Sequence, residues 1–340
     1  MRILIDILHP AHVHFFRNAI RIWQSRGHEI LVTSRKKDIA LELLDLYRIE
    51  HTHISDYGRG IWGLGKELVS RDIKLWRLAR QFRPQVMAGI AGVSIAAVGR
   101  MMGVPSIVFT DTEHARLSNY ISFPFASLIC TPRSFTQNIG PRQLRYNGLH
   151  QLAYLHPKLF TPRPEILEQS GLSPQEKYII VRLVSWQAAH DVGEGGIKSG
   201  VDFVRELEKL GRVIITSEEA LPPELEKNRI RVSPDKIHHL IAYAHMYVGE
   251  SPTMASESGI LGTPAILISS WAHRAGCIME ESRYGLIHAF PEQAAALEKA
   301  KELWRQPDVK QQWQSRSRAM LNDMIEVTPW LVDLVENYAL

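Results

Sequence analysis

Short apolar runs alternate along this chain with stretches whose apolar positions recur every three or four residues, and Gly, Pro and polar turns separate the two. Arg2–Leu8 predicts a first strand. It passes through His9-Pro-Ala-His12 into a helix that carries Phe15, Phe16, Ala19, Ile20 and Trp23 on one face and stops at Gly27. His28–Thr33 predicts the second strand, Asp38–Arg48 a helix and His51–Ile54 a short third strand. A glycine-punctuated loop at Tyr57–Gly65 and a basic helix over Lys66–Phe82 follow. Strand Gln85–Gly89, helix Val93–Met102 and strand Ser106–Thr110, joined through Gly103-Val-Pro105, form another βαβ unit, and Leu128–Thr131 adds a strand. Between Asn147 and Pro164 the chain is rich in Pro, His and aromatics without a period, and a domain boundary is expected there.

The pattern restarts with strand Lys177–Val184, helix Ile197–Leu210, strand Val213–Thr216, a Pro-rich loop, strand Ile230–Val232 and helix Pro234–Ala244. Strands at Met246–Val248 and Ala265–Ile268 flank a polar turn and a short helix closed by Gly262. Leu286–Ala289 is the last expected strand. The tail Glu292–Leu340 reads as helix with breaks at Pro307 and Pro329. The fold class is therefore α/β. Residues 1–155 and 165–325 are each expected to form a doubly wound, Rossmann-like domain, and two such sheets pointing their strand ends inward would face one another across a cleft.

With 340 residues, 45% of them apolar and 22% charged, the chain suits two globular domains and excludes disordered and fibrous classes. Cys130 and Cys277 form no CxxC pair, which argues against a disulfide framework or structural zinc and for a reduced, cytoplasmic setting. The N-terminus meets charge and His9-Pro10 too soon for a signal peptide. Ala88–Phe109 is long and apolar, but it contains Arg100, Gly103 and Pro105. An Arg near a bilayer centre costs roughly 2.5–3.5 kcal/mol, so strand, helix, strand is the better reading. The net charge of +4 is mild. Tyr57–Arg83, however, holds seven Lys/Arg against two acids, together with Trp62 and Trp76. Peripheral contact with the inner face of an anionic membrane is one reading and a solvated helix face over core tryptophans is the other; no nucleic-acid partner is expected.

Candidate chemistry gathers in two places. Ser251 and Thr253 stand where a helix N-terminus attracts phosphate beyond the strand ends, and Glu257, one turn on, is placed to accept hydrogen bonds from a vicinal diol. A simple N-cap followed by a solvated Glu meets the same spacing. Arg182 ends a strand and is able to clamp a pyrophosphate bidentately or to pair with a surface carboxylate, and His273-Arg274 follows a later strand. In the first half, His9, His12 and His14 lie after one strand, and Asp111, Glu113 and His114 after another. A histidine there is suited to general base catalysis, to metal binding or to loop packing.

The succession Ser251, Glu257, Gly262-Thr-Pro264 resembles the donor-nucleotide segment of GT-B glycosyltransferases and UDP-sugar epimerases, in which the Ser backs a phosphate and the Glu holds ribose. The chain departs from the non-hydrolysing UDP-N-acetylglucosamine 2-epimerases by placing Pro252 and Thr253 where they carry two glycines. Glu113 matches their catalytic glutamate, while Ile90 stands where they have an Asp. Gly89-Ile-Ala-Gly92 through Gly103-Val-Pro-Ser106 resembles the N-acetylglucosaminyltransferases that complete lipid II, and ungapped counting back from Gly27 places His12 on their loop histidine. With His9-Pro-Ala-His-Val-His-Phe-Phe16, Asp111-Thr-Glu-His-Ala115 and His190-Asp191 after Trp186, the chain as a whole most resembles a GT-B-like family known as domain of unknown function 354.

The resemblance implies a GT-B fold in which the last helix, 326–340, returns to the first domain. It implies an enzyme that binds a nucleotide sugar, UDP-linked, through Arg182, Ser251, Thr253, Glu257 and Arg274, and transfers the sugar to an acceptor, lipid-linked or polysaccharide, with His12, Glu113 and His14 as catalytic residues: His12 in the first place, or Glu113, takes the proton of the acceptor hydroxyl, and Glu113 otherwise orients His12 or the acceptor. No cofactor and no metal are expected in that chemistry. A UDP-sugar 2-epimerase and a non-catalytic sugar-nucleotide-binding protein remain the alternatives.

Overall fold

The structure, a computed structural model, describes residues 1–58, 60–183, 199–217 and 220–338. In chain order its strands and helices are β1 (Arg2–Ile7), α1 (Pro10–Ser25), β2 (Glu29–Lys36), α2 (Ala40–Leu46), β3 (Thr52–Asp56), α3 (Gly60–Phe82), β4 (Val86–Ile90), α4 (Val93–Met102), β5 (Ser106–Phe109), α5 (Arg116–Ser122), β6 (Leu128–Pro132) and β7 (Gln143–Tyr146). They continue with α6 (Leu152–Leu155), α7 (Pro164–Gln169), β8 (Tyr178–Arg182), α8 (Gly200–Glu208), β9 (Arg212–Ile215), α9 (Ile237–Tyr243), β10 (Met246–Gly249), α10 (Pro252–Ile260), β11 (Ala265–Ile268), α11 (Gly276–Arg283), β12 (Ile287–Phe290), α12 (Gln293–Arg305), α13 (Val309–Asp323) and α14 (Val327–Tyr338). The chain forms two compact units, Met1–Tyr154 with Ile325–Leu340, and Leu155–Met324.

The first unit is a seven-stranded sheet in the order β3-β2-β1-β4-β5-β6-β7, with every pairing parallel. Central strands of such a sheet are covered on both faces, which is why β1, β4 and β5 read as continuous apolar runs rather than alternating ones. The order reverses between β1 and β4. In doubly wound sheets that reversal opens the crevice at the carboxyl strand ends. Helix α1 starts there because the His9 side chain caps it, Nδ1 accepting the Ala11 N–H at 3.2 Å, and Pro10 fits the first turn. Its apolar stripe packs Phe15 and Phe16 on Phe109. Helix α14 packs on α1 within this unit, and its Trp330 stacks on Tyr146.

A charged side chain sits inside this core. Asp6 of β1 and Arg71 of α3 are paired and almost wholly inaccessible, and Thr33 donates to the same carboxylate oxygen at 2.7 Å. Arg71 is one of the seven cations of the basic segment, so that segment is not a uniformly solvated face; Arg59, another of them, lies outside the described residues. Helix α3 also starts earlier than its glycines suggest. Glu67 accepts from Gly58 N–H and Ser55 Oγ, which ties the first turns to the end of β3 and offsets the helix-forming penalty of Gly60, Gly63 and Gly65.

The second unit is a five-stranded parallel sheet in the order β12-β11-β10-β8-β9, which reverses between β8 and β10. The strand expected at Ile230–Val232 is absent. Short 3-10 turns at Pro223–Asn228 and Pro234–Lys236 flank it, and only a single bridge between Ile215 and Arg229 forms against edge strand β9. Strand β7 went unread in the sequence because, as an edge, it is mostly exposed and polar. Pro329 does not break the tail; it lies in the first turn of α14, where its missing N–H costs nothing.

Candidate functional site

The reversal point of the second sheet gathers much of the sequence-expected donor site. Arg182, the last residue of β8, lies in register with Gly249, the last of β10, and its carbonyl accepts the Glu250 N–H at 2.9 Å. Glycine is required at 249. A Cβ there would sit 2.3 Å from the Arg182 carbonyl oxygen. Two residues on, Ser251 is the N-cap of α10, its hydroxyl accepting the Met254 N–H at 3.3 Å, with Pro252 in the first turn. Buried Tyr247 fixes the turn, since its hydroxyl donates to the Ser251 carbonyl and accepts the Ser251 N–H. Burial pushes that phenol well above its ordinary pKa, so it stays a neutral donor. Thr253 follows in the first turn, partly accessible, and Gly262 closes the segment in the left-handed region at φ +72°.

Glu257 differs from the solvated carboxylate one reading allowed. It is 4% exposed, and its Oε1 lies 3.0 Å from Nε2 of His238, a buried residue of α9. The carboxylate therefore has a scaffold role, joining α9 to α10. His238 carried no signal in the sequence beyond its place in an apolar helix. Arg274 is exposed in the short turn Ala272–Arg274 after β11, its Nε 3.2 Å from His273 Nε2. Beside it, Ser269, Ser270, His273 and Pro291 line a cavity of about 470 Å³. The segment Ser185–Asp191, with His190 and Asp191, lies outside the described residues.

At the carboxyl edge of the first sheet, the three histidines after β1 take three different places. His9 is the cap of α1. His12 is buried, and its Nδ1 accepts the Leu8 N–H at 3.2 Å. His14 is enclosed, stacked on Tyr154 at 5.1 Å between ring centroids and edge-on to Tyr47, with Arg17 3.4 Å from its Nδ1. Such an environment supports packing of α1. Among the described residues no three His, Cys, Asp or Glu side chains are grouped to hold a metal ion.

Desolvation, then the charges of His9, His150, Arg35 and Lys37, hold His12 well below 6.5. Glu113 is not among those influences. It is buried after β5, Oε1 accepting the Thr136 N–H at 3.1 Å while its carbonyl accepts from Gln137, so it ties the loop after β5 to the loop after β6. Among the influences on His12 is His150, whose Nδ1 lies 3.3 Å from Asp111 Oδ2. His150 falls in the stretch without period, where spacing carries no information about direction. Asp6 and Arg71 were also missed, although an Asp within the run Arg-Ile-Leu-Ile-Asp-Ile is itself the sign of a buried partner.

The uncharacterized protein MJ0665 of Methanocaldococcus jannaschii is 24% identical over 278 residues, covering 77% of this chain and 80% of that protein. Among solved structures, UDP-GlcNAc 2-epimerase of Neisseria meningitidis bound to UDP-GlcNAc superposes with a TM-score of 0.68 at 12% identity, covering 95% of this chain and 99% of that one. MnaA of S. aureus in complex with UDP gives 0.71 at 10% identity, over 99% and 96%. The spinosyn forosaminyltransferase SpnP gives 0.67 at 13% identity, over 99% of each chain. At such identities the likeness shows the fold, a GT-B-like pair of Rossmann-like units shared by glycosyltransferases and UDP-sugar epimerases. Residues 1–275 match the family described as protein of unknown function (DUF354), and the chain belongs to that family.

Proposed function

We propose that this chain is a glycosyltransferase that binds a UDP-linked sugar at the reversal point of its second sheet and transfers the sugar to an acceptor hydroxyl bound by its first unit. The observation that carries the reading is the convergence of Arg182, the obligatory Gly249 and the Ser251-capped start of α10 at one sheet reversal. A departing diphosphate carries negative charge, and Arg182, the Ser251 hydroxyl, the Thr253 N–H and Arg274 supply positive charge and donors to it. Glu257, held by His238, serves the ribose diol. UDP and UDP-GlcNAc in the named MnaA and 2-epimerase structures favour uracil as the base. Incubation with a panel of nucleotide sugars tests this. Release of UDP with a glycosylated acceptor is expected, an epimerised donor would replace transfer with epimerisation, and tight binding without consumption would make the chain a sensor.

The acceptor side of the reading includes an anionic membrane. Helix α3 exposes Trp62 (92%), Val69 and Ile73 along one face, with Lys66, Arg77 and Arg80 beside them, and α5 exposes Leu117 and Tyr120 next to Arg116. Both helices pack on α4. The acids of α3 turn away from this face, Glu67 into hydrogen bonds with Ser55 and Gly58, and Asp72 half-buried with its pKa raised by burial. Exposed apolar side chains ringed by cations suit an anionic bilayer, at about 1 kcal/mol per well-placed Lys or Arg. Sedimentation with phosphatidylglycerol vesicles that weakens in high salt and fails with phosphatidylcholine is expected; equal sedimentation with both would remove the membrane from the reading.

A further inference from the structure

The two buried imidazoles at the carboxyl edge of the first sheet meet opposite partners at Nδ1, a backbone donor at His12 and a carboxylate at His150. The Leu8 amide donates to His12 Nδ1, so that nitrogen presents its lone pair and the neutral ring carries its proton on Nε2. Burial, with His9, His150, Arg35 and Lys37 adding to it, keeps the ring neutral at pH 7. A ring in that state donates from Nε2 and has no lone pair there to take a proton. His150 is the reverse case. Its Nδ1 lies 3.3 Å from Asp111 Oδ2, and because a carboxylate oxygen only accepts, that contact favours the tautomer with the proton on Nδ1 and the lone pair on Nε2. Burial lowers this histidine as well, against the opposing effect of Asp111. Phe15 and Tyr146 fix the ring, at 4.6 Å and 6.4 Å between centroids. His150 Nε2 is buried and has no hydrogen-bond partner among the described residues, a state that calls for an occupant.

We propose that the reacting hydroxyl of the acceptor is held here, its oxygen receiving the Nε2–H of His12 and its proton directed to Nε2 of His150, so that His150 is the general base, Asp111 its positioning residue and His12 a donor. This rests on the transferase reading above. In the step, a lone pair of the hydroxyl oxygen forms the bond to the anomeric carbon, and the bond from that carbon to the diphosphate breaks with its electron pair leaving on UDP. The hydroxyl proton passes to His150, and Asp111 stabilises the imidazolium through Nδ1–H. The alignment of His12 with the loop histidine of the lipid II-forming enzymes leaves its role open; the Leu8 amide makes it a donor.

Two measurements test the proposal separately from the function. Nitrogen-15 NMR of the imidazoles in the ligand-free chain is expected to show His12 protonated on Nε2 and His150 on Nδ1; the opposite tautomer at either ring would overturn the assignment whatever the chain catalyses. With a UDP-sugar that the wild type consumes, His150→Gln is expected to lower kcat by roughly 10²–10⁴-fold at unchanged UDP affinity. Asp111→Asn should lower kcat and move the acid limb of the pH–rate profile, because its amide is able to donate to Nδ1 and favour the wrong tautomer. His12→Gln, which retains an N–H donor, should cost about tenfold and leave that limb in place. If His12→Gln instead abolished the limb while His150→Gln kept it, the base would be His12 and the proposal would fall. A wild type that binds donors but never consumes them would overturn the transferase reading and the base role with it, while the tautomers would still be read directly.

Discussion

Glu257 is expected to serve both scaffold and ligand, and two substitutions separate those roles. Its Oε1 lies 3.0 Å from His238 Nε2, and both side chains are nearly inaccessible, so Glu257→Ala removes a buried contact between carboxylate and imidazole. Removing the charged partner of a buried polar contact costs about 1.5–3 kcal/mol. For a unit of this size, each 1 kcal/mol moves Tm by about 2–4 °C, so the alanine variant should melt roughly 3–12 °C below wild type. Glu257→Gln keeps a carbonyl oxygen for His238 and should stay within about 1 kcal/mol of wild-type stability. It removes the charge offered to the ribose diol, so UDP affinity should fall roughly ten- to a hundredfold. Thermal melting by circular dichroism and titration calorimetry with UDP read the two effects independently. An alanine variant that melts with wild type would refute the argument from burial. A glutamine variant with full UDP affinity would remove Glu257 from the ligand.

Arg71→Met strands the Asp6 carboxylate in the core and should cost about 3–5 kcal/mol in urea unfolding, whereas adding Asp6→Leu should recover most of it; a single variant as stable as wild type would contradict the pairing. Gly249→Ala pushes a Cβ to 2.3 Å from the Arg182 carbonyl, so overpacking of about 1–3 kcal/mol should accompany weaker UDP binding, and calorimetry finding unchanged affinity would separate the strand junction from the ligand. Burial, with Lys177 and Lys310 adding to it, lowers His245 to about 4, and its ring lies edge-on to Trp304. The folded state then binds fewer protons than the unfolded one between pH 6.5 and 4, so this contribution is intact above 6.5 and lost toward 4, by roughly 3 kcal/mol. His245→Leu should flatten stability over that window, and an unchanged slope would refute the shift.

The sequence by itself determined what depends on local order. The apolar runs of β1, β4, β5, β10 and β11, the stripe of α1 and the glycine stops at Gly27, Gly103 and Gly262 are legible because strand period, helix period and left-handed φ are properties of neighbouring residues. The pairing of Arg182 with the turn around Ser251 was legible for a related reason, since both follow strands and parallel sheets bring strand ends to one edge. The tertiary structure decided whatever depends on residues far apart in the chain. The polarity of edge strand β7 hid it, and Arg71 became a core residue only because Asp6 arrives 65 residues earlier to meet it. Glu257 became buried because α9 brings His238 against it. The same holds for the histidines. Their number and spacing stand in the sequence, but which nitrogen of His12 or His150 bears a proton depends on the Leu8 amide and the Asp111 carboxylate, and only the folded chain sets those contacts.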